Sequence, residues 1–420
     1  MAAHVNITSN GIQKVLRNYT EKQALAEYIW NGFDARADTI EINFNANPLG
    51  FIDHLEVVDN GYGIDFDHLV SKFNPFYESE KALQLAVNRN KSVMHGKNGV
   101  GRLTFFRLAN DAEWTTTFKK SNKFVSGKIG IGVGSLNTYQ SVIFDQPIQE
   151  HTGTTVRFLN LKINEAHLLQ EIIPYLKSEF CWFLELNKKK NYRILINGIP
   201  LDFETHIADY QDDMILRYED TNTTFRLKFV QWNESLHKEL SKAYFINEKL
   251  EEVHKEYTTL NKKADEYYHS IYIESEFFSE FDFSGTEFDM QANLYSRSKS
   301  APEYKFLIKK VNELLQLKRK AFLKEHSGKL LERYEKEGVF SGYDQTHPDR
   351  KHNLLNLLKS LYEIQPKLFS NLSIDQKKTL IRLLDTVLIS DQRASLIDTI
   401  AHVVTLEDDE KTALSVLLAD

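Results

Sequence analysis

One cysteine stands among 420 residues, so no disulfide can close within the chain. Its setting, "EFCWFLE" around Cys181, is that of a small buried hydrophobe and not of an activated thiol. No apolar run approaches the roughly 18 residues that a bilayer span requires, and the opening "MAAHVNITSNG" has neither the basic flank nor the greasy middle of a secretory leader. A cytoplasmic setting without membrane attachment is the expectation. Positive excess is missing as well. Lys and Arg total 52 against 59 Asp and Glu, a net charge of −7, which excludes a surface basic throughout and confines any nucleic-acid contact to a local patch. Tandem repeats and low-complexity tracts are also absent.

What is present is ordinary globular material. Hydrophobic residues make up 42% and charged residues 26%, and the length suggests two or three domains. "NYTEKQALAEYIWNGFDARA" reads as a helix opened by Thr20 with Gln23 three residues on, the reciprocal arrangement that satisfies free amides at a helix start. "DTIEINFNA" and "HLEVVDNG" alternate as strands, the second ending on the turn pair Asn60-Gly61. From Tyr62 to Lys97 the pattern predicts short helices and a loop. "NGVGRLTFFRLAN" predicts a helix with glycines at its entrance. "EWTTTF", "KFVSGKIGIGVG", "YQSVIFD" and "GTTVRFLNL" then predict one antiparallel sheet. "INEAHLLQEIIPYLKSEFCWFLEL" follows as a helix that Pro174 kinks. An α+β fold is the overall expectation. Its segments are 1–165, a second α+β region over 166–300, a long basic helix over 301–340 with a break at Ser327-Gly328, and a helical module over 341–420 for docking or oligomerisation.

The chemistry centres on "ALAEYIWNGFDA". Glu27, Asn31 and Asp34 recur at i, i+4 and i+7 and so share a helix face. Such a triplet alone is common enough to decide nothing. Downstream, "VVDNGYGI" places Asp59, Gly61 and Gly63 directly after a strand, and "HGKNGVGR" places Gly96, Gly99 and Gly101 at a helix entrance, where close backbone approach and free amides favour phosphate. "TGTTVRF" adds Gly153 and Thr154.

Together and in this order, E-x-x-x-N-x-x-D-A, D-x-G-x-G, G-x-x-G-x-G and G-T resemble the GHKL ATPase superfamily of gyrase, heat-shock chaperone, MutL, MORC and histidine-kinase ATP domains. The resemblance covers residues 4 to 162. It implies a Bergerat α/β sandwich that binds ATP and Mg²⁺ under a lid. By resemblance Asn31 coordinates Mg²⁺, Glu27 orients and deprotonates the attacking water, and Asp34 supports the adenine side or braces the helix. Asp59 accepts from the adenine amino group, with Gly61 and Gly63 beneath the base and Thr154 reaching the base through water. Gly96, Gly99 and Gly101, with the amides of Asn98 and Val100, wrap the phosphates, and Lys97 adds charge. A glutamate at position 27 resembles the hydrolysing members, which favours an ATPase over a protein kinase.

The 166–300 region is similar in order and size to the ribosomal-S5-like transducer of those families. In them a basic residue reports the γ-phosphate, and Lys299 is the candidate here, with Arg297 its rival and a solvated basic loop the alternative to both. Nucleotide-driven homodimerisation or coupling to a partner protein would follow, as in prokaryotic defence or DNA maintenance. The alternatives are a chaperone or clamp acting on protein clients, and an ATP-binding scaffold with negligible turnover. Lys305, Lys309, Lys310, Lys318, Arg319, Lys320 and Lys324 form a basic stripe that offers phosphate contacts to DNA or RNA or is a solvated helix face. "GKIGIGVGS" reads as a glycine-bearing strand and not a dinucleotide fingerprint. "HPDRKH" lacks the spacing of a zinc site.

Overall fold

Thr20 opens helix α2 (Glu21–Asp34) with the anticipated capping box, its side chain accepting from Gln23 N while the Gln23 side chain accepts from the Thr20 amide. A shorter helix, α1 (Ser9–Val15), precedes it. In the computed structural model, which describes residues 8–73, 101–236, 241–261, 265–279, 281–283, 297–341, 343, 348–389 and 412, two units are distinguished. One comprises Met1–Glu256 with Ser270–Lys299, and the other Tyr257–His269 with Ser300–Asp420.

The first unit is built on an eight-stranded sheet. Its strands are β1 (Thr39–Ala46), β2 (Ile52–Asp59), β3 (Ala109–Lys120), β4 (Lys123–Gly132), β5 (Gln140–Ile143), β6 (Gly153–Leu161), β7 (Arg193–Ile196) and β8 (Ile199–Pro200). They lie in the order β5-β4-β3-β6-β2-β1-β7-β8. Every neighbouring pair is antiparallel except β1 with β7. Sequence spacing set β7 and β8 among the strands of the 166–300 region, yet they extend the first sheet. Parallel pairing needs a long crossover, which the helix between β6 and β7 supplies.

That helix is α4 (Ile173–Leu186), entered through a π turn, Leu168–Ile172, with Pro174 in its first turn. The irregularity expected at Pro174 therefore falls just before the ring, where a missing amide costs least. α2 is wedged between sheet and α4. Tyr28 packs edge-on against Phe158 of β6 at 5.0 Å, while Trp30 meets Phe180 at 4.5 Å and Phe33 meets Phe183 at 4.8 Å. A two-stranded pair, Phe281–Asp282 with Arg297–Ser298, lies in this unit, as does most of a second, five-stranded sheet. Its strands are β9 (Ile207–Tyr218), β10 (Thr223–Trp232), β11 (Lys242–Ile246), β12 (Glu252–Tyr257) and β13 (His269–Glu274), ordered β12-β11-β13-β10-β9.

The second unit carries α5 (Pro302–Lys336), α6 (Pro348–Ile364) and α7 (Ile374–Ile389). No break occurs at Ser327-Gly328: α5 runs through both, with Ser327 buried and its hydroxyl donating to Lys324 O (2.8 Å). Leu330, Tyr334, Phe340, Leu358 and Ile381 form the core between these helices. Ser373 and Gln376 make the expected reciprocal cap of α7. The "TLEDDEKTALSVLL" helix lies outside the described residues apart from Thr412.

Candidate functional site

Steric demand on the two flanks of α2 decides where its polar face can look. One flank, with Tyr28 and Gly32, is pressed on the sheet: a β-carbon on Gly32 would sit 2.3 Å from Ile40 Cδ1. The other, with Trp30 and Phe33, is covered by aromatic rings of α4. Glu27, Asn31 and Asp34 emerge between the two, half-buried and in line.

At one end of this line lies the loop after β2. Asp59, Thr154 and Thr116 are in register across the neighbouring strands β2, β6 and β3. Thr154 Oγ1 and Thr116 Oγ1 are 3.0 Å apart, and Thr116 Oγ1 also accepts from Ile64 N (2.9 Å). Tyr62 N donates to Ala35 O (2.9 Å) just past α2, so the loop is pinned on both sides. Gly63 has φ +75°, and a β-carbon there would fall 2.2 Å from Thr117 O, so glycine is required on both counts. Withdrawal from water pushes the Asp59 carboxyl up to about 6, against the hydrogen bonds from the Gly61 and Thr154 backbones. A desolvated acceptor of that kind, flanked by two hydroxyls, is suited to a polar heterocycle edge.

At the other end the chain returns at Gly101. A β-carbon there would lie 2.5 Å from Glu27 Oε2, so the backbone at the end of the glycine-rich stretch rests directly on the Glu27 carboxylate. Residues Gly101–Arg107 form a 3-10 turn where an α-helix was expected. Thr104 Oγ1 donates to Gly101 O (2.7 Å), three residues back, and Leu108 N to Phe105 O (2.7 Å), and β3 begins at once. Arg102 Nη2 donates to Phe73 O (2.7 Å), at the end of the short helix α3 (Leu69–Phe73), and so ties that helix to the segment after Gly101. Burial pushes the Arg102 guanidinium down to about 10.

The structure thus brings Glu27, Asn31 and Asp34 onto one face, sets Asp59, Gly61, Gly63 and Thr154 at one end of α2 and rests Gly101 on Glu27. Gly96, Lys97, Asn98, Gly99 and Val100 lie outside the described residues. Lys299 is not gathered in: its Nζ donates to Glu256 Oε2 (2.9 Å) on β12. The Arg297 side chain lies outside the described positions. Sequence reading missed Thr116 and Gly32, both set by strand register or helix packing that no local motif announces. The oxygens of Asn31 and Glu27 fit a hard divalent cation held chiefly by phosphate. Among the described residues no group of three or more His, Cys, Asp or Glu could hold a metal unaided, and no helix is long and apolar enough to cross a membrane.

No curated protein matches the chain. Residues 19–156, which hold all the described elements of this site, match the family described as histidine kinase-, DNA gyrase B-, and HSP90-like ATPase, and they constitute a domain of that GHKL family.

Proposed function

We propose that the chain binds and hydrolyses Mg²⁺-ATP and couples the cycle to a rearrangement of the regions that follow. The observation that carries this reading is the contact of Gly101 with Glu27, which sets a carboxylate at the end of the glycine-rich stretch. On this reading Asp59 accepts from the adenine amino group, and Thr154 supports the base through water. Asp34 braces the same side. The phosphates lie along Asn31 and the Lys97–Gly101 backbone. Mg²⁺ would be held by Asn31 together with the phosphates, whose charge it offsets when bound. Glu27 orients a water and takes its proton, a role worth about 10²- to 10⁴-fold in rate.

The five-stranded sheet is read as the transducer, with Lys299 exchanging Glu256 for the γ-phosphate, and nucleotide-driven dimerisation as its output. The partner reading gains one structural support. On α5, Lys305, Lys309, Lys320 and Lys324 are exposed at spacings that place them on one face, spanning roughly 29 Å at 1.5 Å per residue. A nucleic-acid backbone is the partner that suits it, as in a role in DNA maintenance or defence.

The test is phosphate release by the purified protein beside that of Glu27→Gln, with ADP binding followed by calorimetry in both. Turnover abolished with ADP affinity retained is expected. Unchanged turnover in Glu27→Gln overturns the catalytic assignment, and absence of nucleotide binding in the wild type overturns the whole reading.

A further inference from the structure

Behind the last turn of α2, away from its polar face, the first unit encloses a cavity of about 240 Å³. Six of its fourteen lining residues are aromatic. Phe33 and Tyr192 stack at 5.7 Å with an interplanar angle of 8°, and Phe183 and Phe281 contribute further rings. Two cations line it, Arg36 and Lys190, and two carboxylates, Glu251 and Glu252. The charges are not equivalent. Glu251 Oε2 already accepts from Asn247 Nδ2 (3.3 Å). Neither Arg36 nor Lys190 has an ion-pair partner within 4 Å among the described residues. Lys190 is half-buried. Burial pulls its ammonium below the usual lysine range, with Arg36 adding repulsion and Glu251 and Glu252 opposing.

A half-buried Lys190 beside an exposed Arg36, neither ion-paired among the described residues, above a floor of rings, is an arrangement that an aromatic anion completes. Its ring would replace solvent on the Phe33, Tyr192 and Phe281 faces, and its acid group would settle between Lys190 and the Arg36 fork. We propose that this cavity is a binding site for a one- or two-ring aromatic anion, and that its occupancy is felt at the Asp59 loop. The second half rests on the nucleotide-binding reading; the first half does not.

Transmission follows from the chain itself. Phe33 and Arg36 are bonded through Arg36 N to Phe33 O (3.0 Å), and between them Ala35 O accepts from Tyr62 N (2.9 Å). A β-carbon on Gly61 would come within 2.6 Å of Ala35 O. One turn therefore forms a cavity wall on one side and holds the loop carrying Asp59 on the other. A ligand that fixes this turn changes the affinity of whatever Asp59 binds, and linkage makes the change reciprocal.

The experiment is calorimetric titration of the full chain with three probes of one shape, indole-3-acetate, indole-3-acetamide and tryptamine, each repeated in saturating ADP. The acid is expected to bind one site per chain at least tenfold more tightly than the amide, with tryptamine weakest. In Arg36→Met/Lys190→Met the preference for the acid disappears while the melting temperature and ADP binding persist. Saturating ADP shifts the acid's Kd by twofold or more without abolishing binding. Equal binding of the three probes, preference for tryptamine, or competitive displacement by ADP overturns the site. An acid Kd indifferent to ADP, in a protein that binds ADP, overturns the coupling alone.

Discussion

Gly101 and Glu27 are in contact across 74 residues of sequence: a single added carbon at position 101 would lie 2.5 Å from Glu27 Oε2 and 3.4 Å from its Cδ. The obstacle is the end of a flexible side chain and not backbone, so Gly101→Ala can fold by turning the carboxylate aside. Stability is expected to change by less than about 1 kcal/mol. Turnover is expected to fall about 10²-fold, since a misplacement of about 1 Å is enough to disable a positioned base. Melting curves and phosphate release measured together check this; a variant with full turnover would dissociate Glu27 from catalysis.

Asp59 gives the site a pH dependence with a definite sign. The folded apoprotein holds this proton up to about pH 6, above the ordinary carboxylate value. The group therefore opposes the fold at higher pH, and that opposition fades as pH falls through about 6. Ligand binding runs the other way, because the ionised carboxylate accepts more strongly from an adenine amino group than the protonated acid does. ADP affinity is expected to be flat above pH 7 and to weaken by about tenfold per unit below pH 6. Asp59→Asn should bind weakly at every pH. A wild-type affinity constant from pH 7 to pH 5 would remove Asp59 from the base-binding role.

The parts of this molecule written locally were legible in the sequence. The Thr20–Gln23 cap, the Glu27, Asn31 and Asp34 face, the strand ending at Asp59 and the return of Thr154 beside it are each short-range patterns, and the structure places all of them as read. Register and packing are long-range, and there reading failed. Thr116 enters the site only because β3 pairs with β6 in one register. Gly32 matters only because Ile40 lies beneath it. The turn at Gly101–Arg107 is 3-10, with Thr104 Oγ1 bonded three residues back to Gly101 O immediately before β3. Arg319 was counted into a surface stripe because the helical pattern of α5 cannot reveal an acidic partner 54 residues earlier.

Gly63 and Thr116 make the Asp59 loop a stability element as well as the proposed binding one. With φ +75° and Thr117 O 2.2 Å from the missing β-carbon, Gly63→Ala meets backbone that cannot yield. A loss of about 1–3 kcal/mol or more is expected. Thr116→Val leaves the Ile64 amide without its acceptor and should cost about 1–3 kcal/mol. Urea denaturation monitored by tryptophan fluorescence reads both. Wild-type stability in Gly63→Ala would contradict the loop geometry.

Two adjacent cations on α5 separate structure from surface. Arg319 is 7% exposed and its guanidinium Nε donates to Asp265 Oδ2, itself buried, within the second unit. The basic stripe read from sequence therefore loses Arg319, which the helix turns inward. Removing one partner of such a pair strands the other charge in a low-dielectric interior, so Arg319→Ala should destabilise the second unit by about 3–5 kcal/mol. Lys320 is exposed, and Lys320→Ala should fall within about ±0.5 kcal/mol. Reversing Lys305, Lys309, Lys320 and Lys324 together to Glu should likewise leave the melting temperature within a few degrees. If the helix lies along nucleic acid, that variant loses binding to a labelled duplex and flattens its salt dependence. Duplex binding that persists unchanged with all four lysines reversed would place the nucleic-acid contact elsewhere.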